Sequence, residues 1–106
     1  MQPQRPQPSD FYDYREYLRS MVRHLKATQR AFSYRSFARR AGFASASFLK
    51  HVVEGERNLS PESIGKFADG LGLEGRERED FETLVLLAHA RSESDRSRYH
   101  ARLRRR

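Results

Sequence analysis

Cysteine and tryptophan are absent from this 106-residue sequence, and no apolar run approaches the ~20 residues that a membrane helix needs. Without cysteine, disulfide scaffolds, thiolate zinc sites and cysteine nucleophiles are excluded. The first eight residues are rich in Gln and Pro and lack the apolar stretch of a signal peptide. A chain of this length holds one compact domain. We therefore expect a small, soluble, cytoplasmic protein that does not associate with membranes.

Acidic residues are fewer than basic residues, and the net charge is unevenly distributed along the chain. The chain has 21 basic and 14 acidic side chains, a net charge of +7. Residues 13–58 hold ten basic and four acidic side chains, or +6, and residues 91–106 hold seven and two, or +5. Residues 59–90 lie between them with three basic and seven acidic side chains, or −4. This asymmetry favours a polyanionic partner that faces one part of the molecule.

Apolar residues recur at three- and four-residue steps through most of the chain, so the sequence predicts an all-α fold, a five-helix bundle. Residues 1–9 are predicted to be a disordered leader, residues 10–90 the helical domain and residues 91–106 an Arg-rich tail. Tyr99 and Leu103, four residues apart, allow a short extra helix in that tail. The five helices are predicted to start near Asp10, Ser33, Ser45, Ser60 and Arg76 and to end near Lys26, Gly42, Gly55, Gly72 and Ala90.

Residues 33–55 contain the sequence pattern that most clearly indicates a function. Two short predicted helices are joined by a turn at Gly42-Phe43-Ala44, the arrangement of a helix-turn-helix. In that motif the first helix crosses the DNA backbone and the second lies in the major groove. The pattern predicts a double-stranded DNA-binding transcriptional regulator that reads the groove with residues 45–54.

The residues around this motif resemble the Cro/phage-repressor type of DNA-binding domain. The similarity rests on Phe37-Ala38-Arg39-Arg40-Ala41-Gly42-Phe43, Glu54-Gly55-Glu56-Arg57-Asn58-Leu59-Ser60-Pro61 and the Ile64–Leu73 segment. Between Gly42 and Gly55 the chain has one residue more than those repressors usually have, and Val53 stands where they place Glu.

A closer resemblance extends over almost all of the chain after residue 10. The segments Phe11–Leu18, Phe32–Ala38, Gly55–Ser60 and Phe81–Val85 are similar to the N-terminal region of an uncharacterised bacterial family described as transcriptional regulators. Members of that family usually carry a long C-terminal domain of unknown function, which would begin where this sequence stops. The resemblance therefore implies that a separate protein senses any effector.

The side chains expected to touch DNA fall into two sets. Those facing outward on the second helix of the motif are expected to contact bases: Ser45, Ala46, Ser47, Lys50 and His51. Those around it are expected to contact phosphates: Ser33, Arg35, Arg39, Arg40, Arg57 and Asn58. Ser33, Ser45 and Ser60 are equally well explained as helix caps.

The sequence gives weaker evidence for other functions. The four histidines have no spacing typical of a metal site, and the acids from Glu77 to Glu82 complement a helix dipole, so we expect no enzyme, metal or cofactor. Two alternatives stay open: a helix-turn-helix-shaped protein-interaction module, and non-specific nucleic-acid binding through the Arg-rich tail. A homodimer would suit a two-fold operator. The sequence names no operator, effector or ligand pocket.

Overall fold

A computed structural model describes residues 4–104, and within that range the chain is helical with no strand. Six α-helices follow one another along the chain: α1 Tyr14–Thr28, α2 Tyr34–Ala41, α3 Phe48–Val53, α4 Ile64–Leu71, α5 Gly75–Ala88 and α6 Glu93–Arg104. Two short 3₁₀-helices, Pro8–Asp10 and Pro61–Ser63, precede α1 and α4. The all-α prediction is confirmed, and the extra helix that the sequence allowed after residue 90 is present as α6.

The first helix begins later than predicted. Asp13, not Asp10, is its cap, because the Asp13 carboxylate accepts a hydrogen bond from the Arg15 backbone N–H at 2.9 Å. Asp10 ends the first 3₁₀-helix, and Phe11 after it is extended, with φ −121° and ψ 155°. The chain therefore leaves the helical conformation between the two aspartates.

The segment expected to be a disordered leader contacts the helices over the part that the structure describes. Pro8 is buried, and its 3₁₀-helix packs against α5 and α6. The Arg5 guanidinium donates to both carboxylate oxygens of Glu77 on α5, at 2.7 and 3.0 Å. A bidentate ion pair and a buried ring are enough to order a short segment. Residues 1–3 lie outside the described range.

One hydrophobic core joins all six α-helices. Its largest fully buried side chains come from α1, α2, α4 and α5: Tyr17, Phe37, Phe67 and Phe81. Leu103 of α6 is buried as well, so the helix that closes the Arg-rich tail packs on α5. Most of the expected inward positions are confirmed, but Ala88 is exposed although it was expected to face the core. Arg105 and Arg106 of the tail lie outside the described residues.

A glycine inside α4 allows α2 and α4 to pack closely. A Cβ atom built on Gly70 would lie 2.5 Å from Cε2 of Phe37 and 3.0 Å from Cβ of Ala41. Gly65, one turn and a half earlier, has only Arg78 near it, at 3.6 Å. The helix accepts a residue of low helical propensity at position 70 because the aromatic ring of α2 fills that space. This contact fixes α2, and with it the segment that leads to α3.

Candidate nucleic-acid interface

The helix α2, expected to be the first helix of the motif, has well-defined ends. The Ser33 side chain accepts from the Ser36 N–H at 3.0 Å, and the Ser36 side chain accepts from the Ser33 N–H at 2.8 Å. This reciprocal pair is a capping box. Gly42 ends α2 with φ 84°, the left-handed conformation that favours glycine. Ser33 was predicted both as a cap and as a phosphate contact, and the structure places its hydroxyl and its N–H in the cap.

The helix α3, expected to be the second helix of the motif, begins at Phe48, three residues later than predicted. The Ser45 hydroxyl accepts a hydrogen bond from the Ser47 N–H at 3.2 Å and lies 2.9 Å from the Ser47 hydroxyl. Such local side-chain bonds hold a serine turn in place of helix. Three predicted base-contact residues, Ser45, Ala46 and Ser47, therefore lie in the connection formed by residues 42–47. Lys50 and His51 lie on α3 as expected.

Four phenylalanine rings form a cluster beside this connection: Phe37, Phe43, Phe48 and Phe67. The Phe43 ring lies 4.9 Å from the ring of Phe48 and 5.5 Å from that of Phe67, measured between centroids. Phe37 completes the cluster, 5.1 Å from Phe67. The Lys66 ammonium lies 5.3 Å from the Phe43 centroid, a cation–π contact. Because edge-to-face aromatic contacts are directional, the cluster fixes how the connection is presented to solvent.

Two neighbouring hollows flank the connection, and both include Phe43 and Ala44. The first, which we call the serine concavity, has a volume of about 380 Å³, and its other lining residues are Ser45, Ser47, Phe48, His51, Arg57 and Ser63. The second, the arginine concavity, has a volume of about 360 Å³, and its other lining residues are Arg35, Ala38, Arg39 and Ala46. Four of the five predicted base-contact residues and three of the predicted phosphate contacts thus meet on one surface.

The two α3 side chains with the strongest hydrogen-bonding capacity are paired with acids. His51 Nδ1 lies 2.6 Å from a carboxylate oxygen of Glu56. Lys50 Nζ lies 4.0 Å from Glu54, one helical turn away. Both pairs are largely exposed, and ion pairs of this kind contribute little to stability because water competes for both partners. Lys50 is therefore available to exchange its carboxylate for another acceptor.

Two arginines of α1 hold the end of α3 and the loop after it. The Arg15 guanidinium donates to the carbonyl oxygens of Val52 and Arg57, the latter at 3.1 Å. Arg19 donates to the carbonyl of Val53 at 3.1 Å. The last carbonyls of a helix have no partner within it, and basic side chains commonly satisfy them. We call this set the α1 clamp. Its sequence signal is a pair of arginines four residues apart, flanking the apolar stripe of α1.

One predicted phosphate contact belongs to this clamp. The Asn58 side-chain oxygen accepts from Arg15 at 3.1 Å, so that group is engaged inside the protein. The next residue, Leu59, is fully buried, and both of its backbone groups have partners, one in α1 and one directly after α5. Its N–H donates to the Tyr14 hydroxyl at 3.1 Å, and its carbonyl lies 2.7 Å from His89 Nε2. Sequence reasoning missed both partners, because each depends on contacts between segments far apart in the chain.

The remaining predicted phosphate contacts keep their charge available. Among residues 4–104, the side chains of Arg35, Arg39, Arg40 and Arg57 make no ion pair or hydrogen bond, and all four are exposed. Arg39 also lines a third hollow together with Ser36 and Arg40. The free guanidinium groups therefore stand on both sides of the connection, Arg35 and Arg39 on one side and Arg57 on the other.

The described range offers no competing metal or membrane feature. Within residues 4–104, no group of three or more His, Asp or Glu side chains is placed to hold a metal ion. None of the helices in that range is both long and apolar enough to span a bilayer. Comparison with protein-family models, curated proteins and solved structures gave no match to this chain.

Proposed function

We propose that this chain is a transcriptional regulator that binds double-stranded DNA and reads the major groove with residues 45–54. One observation carries the proposal. Unpaired arginines flank the exposed serine turn and α3 on both sides, through the serine and arginine concavities. Groove readers need cations for the phosphates on either side and short polar side chains between them for the base edges.

Each side chain then has a role set by its position. Arg35, Arg39, Arg40 and Arg57 bind phosphates, while Lys50 exchanges Glu54 for a guanine edge. Ser45, Ser47 and His51 face the bases, and Ala46 packs on a thymine methyl group. Ser33 and Asn58 each accept a hydrogen bond within the protein, from the Ser36 N–H and from Arg15, and their remaining donors, the Ser33 hydroxyl and the Asn58 amide, bind phosphates in this proposal.

A single copy presents few base-reading side chains, so we propose that a homodimer binds a two-fold operator. The Arg-rich helix α6 supports non-specific binding less well than its composition suggests. Two of its arginines are paired, Arg96 with Glu93 at 3.2 Å and Arg98 with Asp95 at 3.0 Å. These acids offset part of the positive charge of the segment.

Selection from a random double-stranded DNA library tests the proposal directly. We expect an enriched, two-fold symmetric motif. On that motif Lys50→Ala should cost ~1–3 kcal/mol of binding free energy and relax one base position, whereas Arg39→Gln should weaken binding to all sequences alike.

Arg76→Gln is the matched control, because Arg76 is exposed on α5, away from both concavities. A selection that returns no motif, or an Arg76 variant as impaired as the Arg39 variant, would overturn sequence-specific reading by this surface.

A further inference from the structure

The serine concavity has the size and walls of a small-ligand site. Its volume of about 380 Å³ is at the lower end of the range for ligand pockets, roughly 300–1,000 Å³, and the other two hollows are similar at about 370 and 360 Å³, so its walls distinguish it from them. The rings of Phe43 and Phe48 form an apolar wall, with centroids 4.9 Å apart and planes tilted by 60°. Aromatic walls of this kind favour a flat ring as the occupant, because ring pairs gain energy from offset and edge contacts.

The polar groups of this concavity offer mainly hydrogen-bond donors to a ligand. The hydrogen bond between the Ser45 and Ser47 hydroxyls uses one of their two protons, so the other proton is unused. Ser60 donates to Ser63 at 3.2 Å, so the proton of the Ser63 hydroxyl is unused as well. The Arg57 guanidinium has no partner among the described residues. A guanidinium and two hydroxyl protons suit an oxyanion.

Among the described residues, no carboxylate lines the concavity to oppose such a ligand. The nearest acid in the network, Glu56, is bound to His51 Nδ1 at 2.6 Å. The Lys66 ammonium, over the Phe43 ring, adds positive charge beside the aromatic wall. The electrostatics and the apolar wall therefore point to the same class of molecule, an anion attached to a flat ring.

We infer that the serine concavity binds a small aromatic carboxylate, with the carboxylate at Arg57 and the serine hydroxyls and the ring against Phe43 and Phe48. Ser45, Ser47 and His51 are also the residues proposed to face bases, so this ligand and DNA exclude one another. The exclusion rests on the proposed function, whereas the ligand site does not. The ligand is thereby an effector that releases the chain from DNA.

The test is a titration of the full chain with 1-naphthoate, followed by amide chemical shifts in ¹H–¹⁵N NMR spectra. We expect shifts confined to residues 43–63 and weaker binding of two comparators, 1-naphthalenemethanol without charge and cyclohexanecarboxylate without an aromatic ring. Arg57→Gln should weaken naphthoate about tenfold or more, the effect of losing a charge-assisted hydrogen bond. Phe48→Leu should weaken it about threefold. Arg76→Gln should leave it unchanged.

Several results would overturn the site: shifts spread over the whole chain, no saturation at millimolar naphthoate, equal binding of the alcohol, or equal loss in the Arg57 and Arg76 variants. Inorganic phosphate that binds as tightly as naphthoate would overturn the role of the aromatic wall.

A second arm adds naphthoate to the preformed complex with the selected DNA. Release of DNA supports exclusion, and a complex that persists at saturating naphthoate overturns it. If naphthoate binds in the concavity but no DNA is bound by the chain, the ligand site stands and the proposed function fails.

Discussion

The α1 clamp makes a prediction that needs no assumption about function. Arg15→Met keeps the aliphatic stem of the side chain and removes the guanidinium that binds the carbonyls of Val52 and Arg57 and the side chain of Asn58. The carbonyls of Val52 and Arg57 then lose the guanidinium, while Val52 keeps the Gly55 N–H at 3.1 Å and Val53 keeps Arg19. The variant therefore tests whether α1 holds α3 and the following loop in place.

The expected loss is about 2 kcal/mol of unfolding free energy. A hydrogen bond from a charged group contributes ~1.5–3 kcal/mol when the acceptor is buried, and Val52 is fully buried. Arg57 and Asn58 are exposed, so water replaces the guanidinium there and little more is lost. In a domain of this size, 2 kcal/mol lowers Tm by about 10 °C. Arg15→Lys should fall between the parent and Arg15→Met, because an ammonium cannot reproduce the planar fork.

Urea unfolding followed by circular dichroism measures this loss, with Arg23→Met as the control. Arg23 lies on the same helix, is exposed and makes no hydrogen bond within the described residues, so its variant should stay within ~0.5 kcal/mol of the parent. Amide hydrogen exchange adds a local measurement, since protection should fall most at residues 48–59. Equal stability of the two methionine variants, or unchanged protection in that segment, would refute the clamp.

Three further predictions concern packing, titration and binding. Gly70→Ala should destabilise the fold by ~1–3 kcal/mol, since its Cβ would lie 2.5 Å from the Phe37 ring, whereas Gly65→Ala should be neutral or stabilising by up to ~1 kcal/mol. Similar thermal shifts for the two variants would contradict this close packing. Burial raises the pKa of Tyr17, with Glu77 adding to the effect, so the charged form is disfavoured in the fold. Its contribution to stability is complete below the ordinary tyrosine pKa of ~10 and is lost as pH rises above it. Tyr17→Phe should flatten that alkaline decline in urea midpoints, and parallel curves for parent and variant would exclude Tyr17 as its cause. For DNA, a dimer that uses four arginines per copy neutralises eight phosphates, so log K should fall against log salt with a slope of about −7.2. Arg39→Gln should reduce the slope to about −5.4, and an unchanged slope in fluorescence anisotropy would remove Arg39 from the contacts.

Helices with a long apolar stripe or a strong local end signal could be read from the sequence. The Ser33 cap and the Gly42 terminus of α2 depend on residues within a few positions of each other, so local patterns were sufficient to place them. The start of α3 was placed three residues too early. A helix of six residues has little propensity of its own, and contacts from α1 hold its end.

Contacts between distant segments explain the remaining differences. The pair between Arg5 and Glu77 joins positions 72 residues apart, so no local pattern marks residues 4–9 as part of the fold. In the candidate site, the sequence indicated the exposed arginines correctly, and the i,i+4 spacing of Lys50 and Glu54 is also typical of a pair on one helix face. Outward orientation and i,i+4 pairing follow from helical periodicity, whereas the pairing of His51 with Glu56 depends on the path of the loop after α3.

The arginines of the +6 segment, residues 13–58, fall into two groups with different partners. Arg15 and Arg19 use their guanidinium groups inside the molecule, on carbonyls at the end of α3, and are not available to a polyanion in the same geometry. Arg35, Arg39, Arg40 and Arg57 make no ion pair or hydrogen bond among residues 4–104, and three of them, Arg35, Arg39 and Arg57, line the two concavities. Basic residues thus both hold the proposed reading surface in place and supply its proposed phosphate contacts. It follows that Arg15→Met should weaken DNA binding without any contact to DNA, through a loosened α3, while leaving the dependence on salt unchanged. A reduced salt slope in that variant would instead make Arg15 a phosphate contact.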